Sequence, residues 1–276
     1  MNNSEAASGL TGNLNLISND EEILAQYLKE TNLEKVNRAA TPVYPKETIY
    51  TRYIKRLLDL AIAIPVFAVA LPFNLIFGIC TFFDVGHPVF YKQARSGKDG
   101  KPFLLVKFRN MNEKKDKDGR LLPTAQRVTK FGRIMRKFSL DELLNFWSVL
   151  KGDMSIIGPR PLPITFVERM SERHKKRNAV RPGLECPRII KGDSKQCQYQ
   201  NQFENDIWYV ENVSFHNDLK MLIMLFSMTF ELKKRDRAAE GAGYFAGYDE
   251  NGVATTLNRF KRMYPETWIK VIEGSN

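Results

Sequence analysis

Apolar residues fall into three patterns along the chain. From Leu60 to Phe83 they are almost continuous: LAIAIPVFAVALPFNLIFGICTFF holds no charge between Asp59 and Asp84. A straight helix of these 24 residues would be about 36 Å long, enough for a hydrocarbon core of about 30 Å. A buried core helix is the plainer alternative, but such a helix normally keeps a polar face. The run starts too deep in the chain, and lacks the small-residue site, for a cleaved secretory signal. Pro65 and Pro72 lie inside it. An interior proline removes a backbone hydrogen bond and pushes on the preceding turn. Lys55 and Arg56 precede the run; Lys92, Arg95, Lys98 and Lys101 follow it. The positive-inside rule puts both flanks on the cytoplasmic side. Prolines and flanks together predict a re-entrant element that enters and leaves by one leaflet.

The second pattern is short and strand-like. PVFYKQ (88–93) and FLLVKF (103–108) flank a turn at Gly97 and Gly100. The third is helical. It covers 129–150 with a break near Ser139 and a stop at Gly152, then about 163–177, then about 217–234. The uncharged run from Met221 to Phe230 is too short to span and suits an interfacial helix. Ser18 and Glu21 have capping-box spacing, which predicts a short helix over about 19–36; Pro42 and Pro45 mark a linker after it. The expected organisation is an N-terminal arm (1–50), a re-entrant membrane helix-break-helix (51–84), a catalytic domain (85–235) and a C-terminal tail (236–276). The expected fold is either α/β or mainly α with a small sheet, resting on the membrane element and on interfacial amphipathic helices.

Composition narrows the chemistry. Among 276 residues, 42 Lys+Arg face 31 Asp+Glu, a formal charge of +11. With 43% hydrophobic residues a packed core is attainable and wholesale disorder is excluded. Cys80, Cys186 and Cys197 make no C-x-x-C pair, which argues against a disulfide scaffold or structural zinc and for a reducing, cytosolic face. The cationic excess calls for an anionic partner: nucleic acid, a lipid surface or a phosphorylated substrate.

Three clusters could carry chemistry. In SLDELLNFW (139–147), Ser139 and Glu142 also have capping-box spacing, so Asp141 and Glu142 can be read as plain helix-start carboxylates. A helix N-terminus would keep Asp141 ionised, as a nucleophile or magnesium ligand must be. Arg127, Lys130, Arg133 and Arg136, with Lys137, form an uncompensated basic series: a solvated face, or a site for phosphate and lipid head groups. In KGDMSIIGPRPLP (151–163), Pro159 and Pro161 stiffen the backbone around Arg160, preorganising its guanidinium for bidentate phosphate contact. Lys107 and Arg109, at a strand end, are further phosphate candidates.

KRLLDLAIAIPVFAVALP, HPVFYKQARSGKDGKPFLLVKFRNM, SLDELLNFWSVLKGDMSIIGPRPL and NDIWYVENVSFHNDLK together resemble the bacterial sugar transferases, the monotopic phosphoglycosyl transferases that start glycan assembly on a polyprenyl phosphate. The likeness covers roughly 51–235 and is closest to the short form of the family. It implies that Asp141 attacks the β-phosphorus of a UDP-sugar, expels UMP and holds a phosphosugar that undecaprenyl phosphate then collects. Glu142 completes the catalytic dyad by assisting a metal or a proton. Mg²⁺ is implied as cofactor, with Asp141 its protein ligand. Lys107, Arg136 and Arg160 are expected on phosphate oxygens, with Pro159 and Pro161 framing them. The implied location is the cytoplasmic face of the bacterial inner membrane, among anionic lipids, with no nucleic acid bound and a homo-oligomer allowed.

The resemblance has two departures. The family's Ser-Pro break is matched by Leu71-Pro72, which removes one hydroxyl. After Arg181-Pro182-Gly183, where the family continues with a T-G-x-A-Q-V-like run, the chain reads LECPRIIKGDSKQC (184–197), so the donor sugar stays open. GVATTLNRF in the tail is loosely like the C-terminus of the short form. A non-catalytic scaffold of glycan assembly would keep the fold but could lose the dyad. A membrane-anchored nucleic-acid binder should show a recognition helix or aromatics on a basic sheet.

Overall fold

A computed structural model describes residues 19–117, 119, 121–193, 196–230 and 243–274. Helices dominate. They are α1 (Asn19–Thr31), α2 (Leu33–Ala39), α3 (Lys55–Val85, led in by a π-turn over Tyr50–Ile54), α4 (Thr124–Arg127), α5 (Lys130–Lys137), α6 (Asn145–Lys151), α7 (Ile164–Glu168), α8 (Glu172–Lys175), α9 (Gln198–Asn212), α10 (Phe215–Phe230), α11 (Leu257–Met263) and α12 (Pro265–Glu273). The strands are β1 (Phe90–Ser96), β2 (Pro102–Phe108), β3 (Ser155–Ile157), β4 (Gly183–Glu185), β5 (Phe245–Tyr248) and β6 (Ala254–Thr256). They pair as three two-stranded sheets, β1–β2 and β5–β6 antiparallel and β3–β4 parallel. The mainly-α alternative therefore holds, and the α/β one does not among the described residues.

The apolar run forms one helix. Pro65 and Pro72 both sit within α3, so the helix-break-helix expected at Leu71-Pro72 is replaced by continuous helix. An interior proline deletes one i→i−4 bond and leaves its neighbours, which bends a helix without dividing it. Nor is α3 a core helix. Leu57, Val69, Leu75 and Phe83 are each at least 66% exposed. The buried positions are Asp59, Ala63, Ala70, Asn74 and Thr81, four and seven residues apart and thus on one face. Small and polar side chains on that face let the rest of the fold approach the helix closely.

That rest of the fold touches α3 along its whole length. Near the start, Arg56 Nη1 and Nη2 donate to the carbonyls of Val149 (2.6 Å) and Leu150 (2.9 Å) at the end of α6. Asp59 accepts from Ser155 Oγ (2.9 Å) and Ile156 N (3.0 Å) of β3. Mid-helix, Phe67 packs on Trp147 of α6, and further on Phe77 meets Phe108 of β2 edge-on. At the end, Arg109 Nη2 donates to the Val85 carbonyl. Arg109, a phosphate candidate by sequence, is thus turned onto the helix terminus, with Glu113 3.4 Å from its Nη1.

The main core is built from Ala63, Leu105, Val149, Met154, Ile156, Tyr209 and Met221, so α3, β2, α6, β3, α9 and α10 share it. Beneath it Asp218 of α10 gathers Tyr50 Oη (2.6 Å), Lys55 Nζ (2.7 Å) and Tyr209 Oη (2.7 Å), which ties α10 to the foot of α3. The N-terminal arm and the tail pack on one another: Leu24 and Leu28 of α1 lie against Ala246, Leu257 and Phe260. Lys261 Nζ also reaches Asp20 (2.8 Å). Tyr248 of β5 joins that unit to α8, where His174 Nδ1 lies 2.7 Å from Tyr248 Oη.

The helix expected over 163–177 is instead α7, α8 and a 3₁₀ turn, because Ser171 accepts from His174 N and starts a new helix. The helix expected over 19–36 divides into α1 and α2, and its cap, Ser18, lies outside the described residues. Helix α10 begins at Phe215 and is described to Phe230.

Candidate active site

Asp141 and Glu142 lie in a single 3₁₀ turn (Leu140–Glu142) between α5 and α6. Ser139 enters that turn left-handed, at φ 53°, and its side chain caps nothing. The capping box read from the sequence is therefore not formed, and one turn of three residues offers little helix dipole. Other groups surround the two carboxylates.

Glu142 is the hub. Its Oε1 accepts from Lys107 Nζ at 2.6 Å and from Arg160 Nη2 at 2.9 Å. Burial alone would raise its carboxyl; the charges of Arg160 and Lys107, and their hydrogen bonds, overcome that and hold it at about 2. It is ionised at any physiological pH and a poor proton donor. Arg160 spends its other arm on Glu185, with Nη1 3.2 Å from Oε2. Lys107 and Arg160 thus stand where the sequence places phosphate ligands, already paired with carboxylates.

Asp141 is buried, and Asn110 Nδ2 donates to its Oδ2 at 3.0 Å. Burial pushes its carboxyl above the ordinary range, against the lowering field of Lys107, while neighbouring Glu142 raises it further. Arg136 reaches the dyad through Asn110, whose Oδ1 accepts from Arg136 Nη2 at 3.0 Å. The rest of the basic series diverges. Arg127 is buried beside Met111; Lys130, Arg133 and Lys137 are exposed.

The turn carrying Arg160 is rigidly held. Half-buried Arg95 donates from Nη1 to the Pro161 carbonyl (3.2 Å), and fully buried Arg177 donates from Nη2 to the Arg160 carbonyl (2.7 Å). Arg177 is itself paired with buried Asp206 (2.7 Å). Pro159 and Pro161 are buried and frame the turn; no phosphate contact is assigned to either ring. Gly158 and Gly183 cross so closely that a Cβ on Gly183 would lie 2.1 Å from Gly158 N. Only glycines bring β4, and with it Glu185, this near to Arg160.

Beside the dyad lies an open apolar groove of about 520 Å³ between α3 and the 3₁₀ turn. Pro65, Val69, Phe73 and Phe77 form one wall; Leu140 and Leu143, which flank the dyad, form the other. The site is thus cationic on one side and greasy on the other.

No cluster of three His, Cys, Asp or Glu side chains occurs among the described residues. Glu142 Oε1 is committed to two cations, and Asp141, held by Asn110 at Oδ2, is the neighbouring carboxylate. This donor set fits a magnesium ion that keeps several waters and arrives with a phosphate, since Mg²⁺ commonly takes one or two carboxylates plus substrate oxygens. It does not fit a preformed protein cage.

Asn110, Glu185, Arg95, Arg177 and Asp218 carry no signal in the sequence that marks them as site or support residues. FRNM carries no motif that marks Asn110 as polar and buried. Arg95 and Arg177 look like ordinary surface cations until the fold places carbonyls beside them.

The family model described as bacterial sugar transferase matches residues 50–231. The chain is 42% identical over 171 residues to the uncharacterized sugar transferase EpsL of Bacillus subtilis, covering 62% of this chain and 84% of that one. It is 33% identical over 180 residues to a UDP-glucose:undecaprenyl-phosphate glucose-1-phosphate transferase of Caulobacter vibrioides, covering 61% and 67%. It is 34% identical over 177 residues to a UDP-N-acetylgalactosamine-undecaprenyl-phosphate N-acetylgalactosaminephosphotransferase of Aeromonas hydrophila, covering 60% of this chain but only 41% of that relative.

Proposed function

The chain belongs to the bacterial sugar transferase family, and from that membership we propose that it is a phosphoglycosyl transferase. It moves a phosphosugar from a UDP-sugar to undecaprenyl phosphate. Relatives named for that reaction with glucose and with N-acetylgalactosamine support the reaction class and leave the sugar open. The observation that carries the reading is the position of Asp141. A buried carboxylate stands where a cationic cluster meets an apolar groove.

In the first step an Asp141 oxygen attacks the β-phosphorus. The bond from that phosphorus to the bridging oxygen breaks, and UMP leaves with the electron pair. Arg160 and Lys107 neutralise the diphosphate as Glu142 gives up part of its hold on them. In the second step a phosphate oxygen of undecaprenyl phosphate attacks the same phosphorus and releases the Asp141 carboxylate, giving undecaprenyl diphosphate-sugar. Such a sequence is ping-pong. Asp141 would hold a magnesium ion arriving with the donor, which would supply charge neutralisation for the diphosphate. The groove suits the first isoprene units of the acceptor, whose phosphate then lies beside the dyad.

The same arrangement supports a monotopic, cytoplasmic-leaflet location. Helix α6 holds residues 56–67 of α3, β2 and its exit hold residues 77–85, and α6 and β2 pack on one another. A polar body fixed to both halves of α3 is incompatible with a bilayer core around the whole helix. Exposed Ile134 and Phe138, with Lys130 and Arg133 nearby on α5, suit an interface rich in anionic lipid.

The test is Asp141→Asn. Purified wild-type protein given UDP-sugars should release UMP and gain the mass of a phosphosugar. The variant should do neither while remaining in the membrane fraction. A variant that carries the adduct, or turns over at the wild-type rate, refutes the nucleophile.

A further inference from the structure

Asn110 is the residue that joins Arg136 to Asp141, and its amide has only one chemically sensible orientation. A guanidinium can only donate and a carboxylate can only accept. The carbonyl oxygen must therefore face Arg136 and the NH₂ must face Asp141, as the two 3.0 Å contacts have it. Arg136 reaches it from the exposed side, while the Asn110 side chain is buried and so is its contact with Asp141. Its backbone is pinned as well. Gly132 lets α5 press against the exit of β2, where a Cβ would come within 2.1 Å of the Asn110 carbonyl. Thr129, accepting from Gly132 N at 2.8 Å, fixes that turn of α5 in place.

We infer that Asn110 is a positioning residue for the nucleophile: its amide, polarised by Arg136, holds Asp141 Oδ2 and so directs Oδ1 toward the phosphorus. This rests on the reading of Asp141 as the attacking group. A carboxylate free to rotate about its last bond presents either oxygen at any angle. One anchored at one oxygen presents the other along a fixed line. Orientation of that kind acts on the chemical step and leaves ground-state binding of the donor largely alone. Arg136 then serves the reaction from behind the amide and not as a direct phosphate ligand.

Asn110→Asp separates this role from mere packing. It has the same shape and still accepts from Arg136, but it puts an acceptor where Asp141 needs a donor. Asn110→Ala removes both contacts. Wild type, Asp141→Asn and both variants are purified in detergent. Adduct formation is timed by intact mass after rapid mixing with UDP-sugar, KM is measured by UMP release, and folding is followed by thermal unfolding. Both Asn110 variants should form the adduct ten- to a hundredfold more slowly, in line with loss of a hydrogen bond to a charged group, with KM within about twofold of wild type. Wild-type adduct rates in a folded Asn110→Asp would overturn the inference. So would a rise in KM with kcat unchanged, which would mean a donor-binding role. If Asn110→Asp fails to fold, Asn110→Ala decides by the same criteria. An adduct persisting in Asp141→Asn sinks the nucleophile and this inference with it; loss there, with wild-type rates in the Asn110 variants, sinks the inference alone.

Discussion

Glutamine at position 142 has the shape of a protonated Glu142, so Glu142→Gln measures what the charge contributes. In the folded protein that carboxyl sits at about 2, against an ordinary 4.5. The difference is worth about 3 kcal/mol at 1.36 kcal/mol per unit. Because the folded value is depressed, the contribution is complete above pH 4.5 and is lost as the pH falls toward 2. At pH 3 the unfolded chain has taken up its proton and the folded one has not, so about 1.4 kcal/mol should remain. In a chain of this size, about 3 kcal/mol at neutral pH corresponds to a drop in Tm of roughly 6–12 °C. The assay is the difference in unfolding midpoint between wild type and Glu142→Gln in the same detergent, at steps from pH 7 to pH 3, where groups common to both cancel. Two results would refute the reasoning. One is a variant as stable as wild type at pH 7, which would mean that the two ion pairs are not formed. The other is a deficit unchanged at pH 3, which would mean that the loss is one of packing and not of charge.

Two other outcomes follow from the site and the fold. EDTA should stop UMP release and added Mg²⁺ restore it, while the thermal midpoint without donor stays put, since Asp141 makes no preformed cage; full activity in chelator would remove the metal from the reaction. In a Cys80→Ser background, single cysteines replacing exposed Arg52 and Lys98 should both react with an impermeant maleimide on the cytoplasmic side only, and labelling from opposite sides would mean that α3 spans.

The reach of the sequence can be judged residue by residue. The charge-free run is legible as apolar helix, but its continuity through Pro65 and Pro72 is not. The β1–β2 hairpin and the stop at Gly152 follow from local chemistry: alternation around Gly97 and Gly100, and a left-handed glycine at φ 96°. The motifs carrying Lys107, Asp141, Glu142 and Arg160 occur together and in order, and the fold brings Lys107 and Arg160 onto Glu142, beside Asp141. By contrast, the Ser139-x-x-Glu142 capping box does not form, and Arg109, a phosphate candidate at a strand end, turns to the end of α3. A side chain takes the strongest partner within reach. For Glu142 that was two cations from distant segments, not its own backbone, and for Arg109 it was the carbonyl at the end of α3 together with Glu113.

Local periodicity and steric punctuation thus determined the long apolar helix and the β1–β2 hairpin, but not β3 to β6 or the breaks within 163–177. Tertiary structure decided what each charge does. Asn110 faces Asp141, Arg95 and Arg177 lock the Arg160 turn, Glu185 competes for its guanidinium, and the arm and tail share a core, because each of these pairs residues far apart in the chain. Their energies depend on burial and on distances of about 3 Å, quantities that exist only after the chain has closed on itself.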